Sequence, residues 1–420
     1  MSAEPDTESR ARPSSRVGAR LVLSLASGRV AFRVVTYGSG IILLAAWGEE
    51  DFNRYAAAAG PMLWLTGLVA AGPEKAALKL VPRSRRTRGD LVMPLRSLCA
   101  YLPVPFVTAV AVAVVVAPES TPTLWLAAAA GQIVLGCTLV AIALFRALGR
   151  PGRDVAHYLT LSAATAVAVG LTYVTRPSPV VYLAGLLALT AVLNTILVRG
   201  LPRYPVTGVR RARRLLAGTA VLMGLPEVLP TAATSLLYVE LALTRHAGDS
   251  GLLFLALSGW SLLTAVSYFL QRAFQPATSL RVTGEGAVKA RERAFLIARV
   301  TVGLTVVWLA LAVTVLPTDL ATARPLWFMA VFLLAHAPAH ALASYSAFLL
   351  ENVSATGLRT SAVGAATGTA AVIGTGALTV PLGGAPGAIC ALAAMELAVG
   401  LNIWLRLRSA RRKPATEEGE

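Results

Sequence analysis

The clearest chemical pattern in the sequence is a carboxylate between two prolines in one apolar stretch. Glu227 lies near the middle of this stretch, next to Pro226 and three residues before Pro230, and Gly224 precedes them. Each proline removes a backbone donor and clashes with the preceding turn. Inside a membrane, the freed carbonyls must face protein or water. The pattern predicts a kinked or broken helix with hinges at Gly224, Pro226 and Pro230, and a proton or cation site at Glu227. A structural ion pair with an arginine is the alternative.

Two histidines and a second carboxylate lie in later apolar stretches. His336 and His340 are four residues apart, so both rings share one face of a helix, and Pro338 between them is a further hinge candidate. Two such histidines lack the third ligand of a zinc site, and we expect neither a metal nor another cofactor. We expect both histidines and Glu396 to line a cavity for substrate or ions. Hydrogen-bonded packing is the alternative for the two histidines, and pairing inside the C-terminal lobe is the alternative for Glu396.

One arginine lies inside the first apolar stretch. Arg33 is one or two turns from the basic end of that stretch. A charge at the centre of a membrane costs roughly 2.5–3.5 kcal/mol, so such residues are candidates for function. The planar guanidinium suits a phosphate group. We therefore expect Arg33 to line the same cavity as Glu227 and to meet an anionic head group; snorkelling to the interface is the alternative.

The composition excludes an ordinary soluble protein. The 420 residues are 56% hydrophobic and 14% charged, and the mean hydropathy is +0.66. Soluble domains have roughly 45–50% apolar and about 25% charged residues. A transmembrane helix needs about 20 apolar residues, and the apolar stretches of this chain provide about twelve. The sequence therefore predicts an all-α, multi-pass membrane protein with about twelve transmembrane helices.

The basic residues predict the orientation in the membrane. Most of the 38 Lys and Arg residues fall in the two tails and in alternate connections between apolar stretches. Such connections are cytoplasmic by the positive-inside rule, which places both termini in the cytoplasm. We expect the protein to lie in the cytoplasmic membrane. The net charge of +17 is explained by contact with anionic lipid of the bilayer, and nucleic acid is excluded as a partner.

The apolar stretches divide into two equal sets. Residues 21–200 and 214–407 form two predicted six-helix lobes, joined by a basic cytoplasmic linker at 201–213 and flanked by cytoplasmic tails at 1–20 and 408–420. Paired lobes of this kind are typical of secondary transporters. The sequence contains no nucleotide-binding loop and no catalytic set of carboxylates or Ser, His and Asp, so we predict that the protein is not an enzyme.

Four short segments carry a resemblance to a known family. They are residues 28–33 (GRVAFR), 49–55 (EEDFNRY), 72–79 (GPEKAALK) and 272–279 (RAFQPATS). In type and order they resemble segments of the oligosaccharide flippases of polysaccharide biosynthesis, which are relatives of the MATE antiporters and the lipid II flippases. Asn53 stands where that family has glycine. The resemblance implies a MATE-like fold of two lobes around a central cavity, with alternating access and bending of the first and seventh helices.

Three functions are consistent with these observations. The first is a secondary transporter that flips a lipid-linked saccharide or a similar amphiphile across the membrane. The second is a MATE-type exporter of small molecules coupled to H⁺ or Na⁺, for which Glu227, Glu396 and the histidines would be suitable. The third is a membrane partner of a biosynthetic complex that transports nothing. Substrate, coupling ion and oligomeric state are left open by the sequence.

Overall fold

A computed structural model describes residues 19–412 except 85, 283, 316–320 and 322, so most of the two predicted tails lies outside the described residues. The described chain is helical, with short connections. Its helices are α1 (Ala19–Ala59), α2 (Leu63–Leu80), α3 (Arg88–Tyr101), α4 (Pro103–Val116), α5 (Thr121–Ala147), α6 (Pro151–Thr175), α7 (Pro179–Gly200), α8 (Arg210–Ala242), α9 (Ser250–Arg281), α10 (Glu285–Val315), α11 (Pro325–Val353) and α12 (Ala355–Arg412).

Ten helical runs in the described chain are long and apolar enough to cross a membrane. Two of them, Ser27–Arg83 and Ala355–Ala410, contain 57 and 56 residues. At 1.5 Å per residue, each would extend about 85 Å, against a hydrocarbon thickness of about 30 Å. Each run is interrupted by a glycine with positive φ, at Gly48 and Gly384. The all-α membrane class is confirmed, and the count of twelve crossings stays a prediction.

The last helix folds back on itself at its interruption. Gly364 faces Ile403 and Gly368 faces Met395 and Val399, so residues well before Gly384 are neighbours of residues well after it. Gly384 has φ +57°, a backbone conformation that L side chains rarely adopt. The glycine therefore allows the reversal that divides α12 into two antiparallel segments.

Two helix pairs join the predicted lobes, α1 with α9 and α2 with α8. In the first pair, the backbone N–H of Gly251 donates to Asn53 Oδ1 at 2.8 Å. Beside the second pair, Ser235 Oγ on α8 donates to the carbonyl of Gly60, in the turn that precedes α2, at 3.3 Å. Small residues at helix contacts allow backbones to approach closely in membranes. The same α2–α8 pair brings together the charged residues described below.

The apolar stretch that contains Glu227 forms α8 without a break. α8 continues as one helix through Pro226 and Pro230. Hydroxyl groups add hydrogen bonds in this segment, because Thr231 Oγ1 donates to the carbonyl of Glu227 at 2.7 Å and Thr234 Oγ1 to that of Pro230 at 3.0 Å. Of the two predicted forms, a kinked or a broken helix, the break is therefore absent. The kink and the hinge role of both prolines stay predictions.

Candidate substrate and ion cavity

A polar cavity of about 70 Å³ lies mainly among α8, α9, α11 and α12. From α2, on the other predicted lobe, only Lys75 contributes to the lining. A water molecule needs roughly 10–15 Å³ measured in this way, so the cavity has room for several waters or a small head group. The charged and titratable residues of the lining are Lys75, Glu227, His340, Glu351 and Glu396.

Lys75 binds two carboxylates from two helices of the other predicted lobe. Its Nζ lies 2.9 Å from Glu227 Oε1 on α8 and 3.0 Å from Glu351 Oε2 on α11. The three side chains are 9%, 17% and 3% exposed, respectively. Charge-assisted hydrogen bonds of this length are the strong class. The Lys75 ammonium therefore connects the two predicted lobes. Lys79 Nζ on the same helix also reaches Glu351 and donates to its carbonyl at 3.2 Å.

Local structure explains how Lys75 reaches these carboxylates. The residue is in the last third of α2, three residues after Gly72, which packs directly against the backbone of Ala220 on α8. A side chain at position 72 would clash with the Ala220 carbonyl, so the glycine sets the short distance between the two helices. Glu351 is fixed from another side, because Ser361 Oγ on α12 donates to its Oε1 at 3.3 Å.

His340 and Glu396 form the second polar pair of the cavity. His340 Nδ1 lies 2.6 Å from Glu396 Oε1, and both residues are buried. The indole of Trp260 contacts the imidazole with ring centroids 5.0 Å apart. A histidine hydrogen-bonded to a carboxylate in a membrane can hold and release a proton. The structure therefore brings together three of the residues selected from the sequence, Glu227, His340 and Glu396.

His336 is placed differently from His340. Its ring is almost fully buried and stacks against Trp260 and Phe332, with centroids 5.9 and 6.3 Å away. It is not among the residues that line the cavity. Within the described part of the chain, neither of its ring nitrogens has a hydrogen-bond partner. A role of His336 in ion or substrate binding stays a prediction.

Of the remaining candidates, two prolines line the cavity and the others do not. Arg33 is exposed on α1 and is not among the cavity residues, so its role at the substrate stays a prediction. Gly224 packs against Gly72, Pro226 and Pro230 line the cavity, and Pro338 lies inside α11. Among the described residues, no group of three or more His, Cys, Asp or Glu could hold a metal ion.

A second ionic network in the first predicted lobe was missed by the sequence reasoning. Arg146 Nη2 lies 3.1 Å from Glu74 Oε1, and Arg146 Nε lies 3.1 Å from Asp154 Oδ2. Arg29 Nη2 lies 3.4 Å from the same Glu74 oxygen, and its guanidinium covers the Tyr158 ring at 4.9 Å. Glu74 therefore faces this network while the adjacent Lys75 faces the cavity.

The sequence contained a signal for Lys75 but none for its partner Glu351. Lys75 lies in the segment 72–79 that carries the family resemblance. Because it is a basic residue near the end of an apolar stretch, the positive-inside rule predicts a place in a cytoplasmic connection. Lys75 is instead buried within α2. Glu351 is 276 residues away from Lys75 in the chain, so no local spacing connects the two.

Comparison with known proteins shows similarity at the level of structure. No model of a protein family matches the sequence, and no curated protein matches it. The MATE multidrug transporter DinF-BH, solved in complex with a ligand, is 14% identical over 97% of this chain and 98% of that chain, with a TM-score of 0.66. Inward- and outward-facing structures of a multidrug resistance MATE transporter of the MOP superfamily give TM-scores of 0.60 and 0.53, at 12% and 14% identity. These two cover 94% and 93% of this chain, and 98% and 94% of their own chains.

The chain therefore has the fold of the MATE transporters. The likeness extends over nearly its whole length and includes two conformations of one family. The MATE-like fold that the four short segments implied is confirmed.

Proposed function

We propose that this protein is a secondary transporter that works by alternating access and exports a small cationic amphiphile across the cytoplasmic membrane. Support for transport comes from the fold, which is shared with transporters solved in inward- and outward-facing conformations. Support for a cationic substrate comes from one observation, the acidic lining of the polar cavity. The carboxylates of Glu227, Glu351 and Glu396 line it, together with the ammonium of Lys75.

The ionic contacts of Lys75 suggest how substrate binding would change the conformation. A cationic head group in the cavity competes with the Lys75 ammonium for Glu227. At an effective dielectric of about 20, charges 4 Å apart attract by about 4 kcal/mol before desolvation is counted. Loss of the Lys75–Glu227 contact weakens a link between α2 and α8 that joins the predicted lobes. A difference of a few kcal/mol between two states is enough to shift their populations strongly.

The second polar pair supports coupling to protons. His340 and Glu396 lie in the same cavity as Lys75 and share a short hydrogen bond. Protonation of this pair removes a negative charge from the cavity, which weakens the binding of a cation there. In our proposal, proton entry from the outside therefore drives release of the substrate.

A lipid-linked saccharide is the second candidate substrate, and Arg33 supports it. This exposed guanidinium on α1 suits a diphosphate that approaches along the first predicted lobe. The acidic set around Glu227 favours the cation instead, because an anionic head group in the cavity would meet an excess of negative charge. The two candidates therefore differ in the sign of the transported charge.

The test is uptake of a cation into inside-out membrane vesicles from cells that express the chain, because export from the cell is uptake into such vesicles. We expect proton-driven uptake of ethidium, a cationic probe, and a loss of at least tenfold in Glu227→Gln. Glu50→Gln, the same change at an exposed residue, is the matched control and should transport normally. Flipping of a lipid-linked saccharide with no transport of ethidium would replace the first candidate by the second.

A further inference from the structure

A second cavity opens between α9 and α11, beside the polar cavity. It has a volume of about 440 Å³, within the range of about 300–1,000 Å³ that is typical of ligand pockets. Its largest lining residues are apolar or aromatic, and Leu270, Phe274 and Tyr345 among them are exposed at the protein surface. We call this cavity the lateral groove. Its lining residues are Ser267, Leu270, Gln271, Phe274, Thr278, Ala341, Tyr345, Phe348 and Leu349.

The lateral groove and the polar cavity share a wall. Gln271 and Phe348 line both of them. On the polar side, Gln271 Nε2 donates to Ser344 Oγ at 2.8 Å, and Ser344 Oγ lies 3.1 Å from Gln271 Oε1, so the two side chains hold α9 and α11 together. Rotation of one glutamine side chain would therefore join an apolar groove that reaches the surface to a chamber lined by three carboxylates.

The two compartments differ in both size and chemistry. The polar cavity is small and acidic, whereas the lateral groove is several times larger and mainly apolar. The groove lies in the later halves of α9 and α11, which the basic residues place toward the cytoplasmic leaflet. A ligand that fills both compartments has a compact cationic head and one long hydrocarbon chain.

We propose that the lateral groove binds the hydrocarbon chain of the transported amphiphile while its cationic head occupies the polar cavity. The substrate is then a single-chain cationic amphiphile that enters sideways from the cytoplasmic leaflet between α9 and α11. The Gln271–Ser344 pair is the gate between the two compartments. This inference rests on the proposed function, because it assigns the head group to the cavity around Glu227.

The test compares two cations that differ only in their hydrocarbon part. Radiolabelled dodecyltrimethylammonium and tetramethylammonium are bound to the full chain in lipid nanodiscs, with empty nanodiscs as background. Ala341→Trp fills the lateral groove, and Leu334→Trp adds the same indole on the exposed face of α11 outside the groove. We expect Ala341→Trp to weaken binding of the dodecyl probe at least tenfold and to leave tetramethylammonium unchanged. Leu334→Trp should change neither affinity.

Photolabelling of the unmodified protein removes any dependence on folding of the variants. A dodecyltrimethylammonium with a diazirine at the end of its chain should label residues 267–278 and 341–349. Two results would contradict binding of the hydrocarbon chain in the lateral groove: labelling spread evenly over the lipid-facing helices, or an equal loss of binding of both probes in Ala341→Trp. Neither result would contradict the proposed function. Binding of dodecyl phosphate in the groove, without binding of either cation, would instead overturn the cationic substrate.

Discussion

The Nζ atom of Lys75 lies 2.9 Å from Oε1 of Glu227, and this contact joins a helix of the first predicted lobe to a helix of the second. Both helices would have to move apart for the cavity to open between them. Glu351 also binds the ammonium, so a conformational change that separates α2 from α8 must reorganise three charges together. The position of Lys75 therefore connects the chemistry of the cavity to the relative motion of the lobes.

The first prediction tests this connection through the ammonium. Lys75→Met keeps the length of the side chain but leaves two carboxylates without the cation between them. We expect a loss of about 1–3 kcal/mol in stability, since removal of one partner of a buried pair is costly, and a loss of transport of at least tenfold. Thermal unfolding in detergent and ethidium uptake measure the two effects.

A charge exchange provides the control for Lys75. In the double variant Lys75→Glu with Glu227→Lys, an ammonium again lies between two carboxylates, now attached to α8. We expect this variant to recover most of the stability that Lys75→Met loses. A double variant no more stable than Lys75→Met would contradict an inter-lobe role for the ionic contact.

The second prediction concerns the proton. Glu396→Gln keeps an acceptor oxygen near His340 Nδ1 but removes the carboxylate charge. We expect normal expression and a free energy of unfolding within about 1 kcal/mol of that of the unmodified protein, because the hydrogen bond is retained. Ethidium uptake should lose its dependence on external pH between 6 and 8, as measured in vesicles with a fixed gradient. A pH profile identical to that of Glu50→Gln would argue against a role of this pair in coupling.

The third prediction separates stability from transport in the first predicted lobe. Asp154 is fully buried beside Arg146, and its removal leaves a buried guanidinium with one carboxylate fewer. Asp154→Ala should therefore destabilise the protein by about 3 kcal/mol. Asp51→Ala, which removes an exposed partner of Arg54, should cost less than about 1 kcal/mol. Equal unfolding temperatures for the two variants would show that the buried network contributes little.

The fourth prediction tests the close approach of α2 and α8. A Cβ atom at position 72 would clash with the carbonyl of Ala220, whereas one at Gly170 on α6 meets open space. Gly72→Ala should lower the unfolding temperature and reduce transport, because the helices must separate. Gly170→Ala should be neutral or stabilising by up to about 1 kcal/mol, since alanine favours the helix. Thermal stability of the two purified variants decides the point, and a stable Gly72→Ala would refute the tight contact.

The sequence by itself determined the class of protein and several residues of the cavity. Hydropathy is a local property, so apolar stretches alone predict an all-α membrane protein. A carboxylate in such a stretch is expensive and therefore conspicuous, which is why Glu227 and Glu396 were found before any contact was known. His340 was selected as well, although its pairing with Glu396 was not predicted.

The tertiary structure alone decided which charges meet. Lys75 and Glu351 are 276 residues apart, and each lies near the end of its helix, where a charged residue normally faces the interface. Their contact depends on the packing of α2 against α8 and on the position of Ser361 on α12, which donates to Glu351, and neither follows from local pattern. The same holds for the lateral groove, because its two walls come from helices separated by the whole of α10.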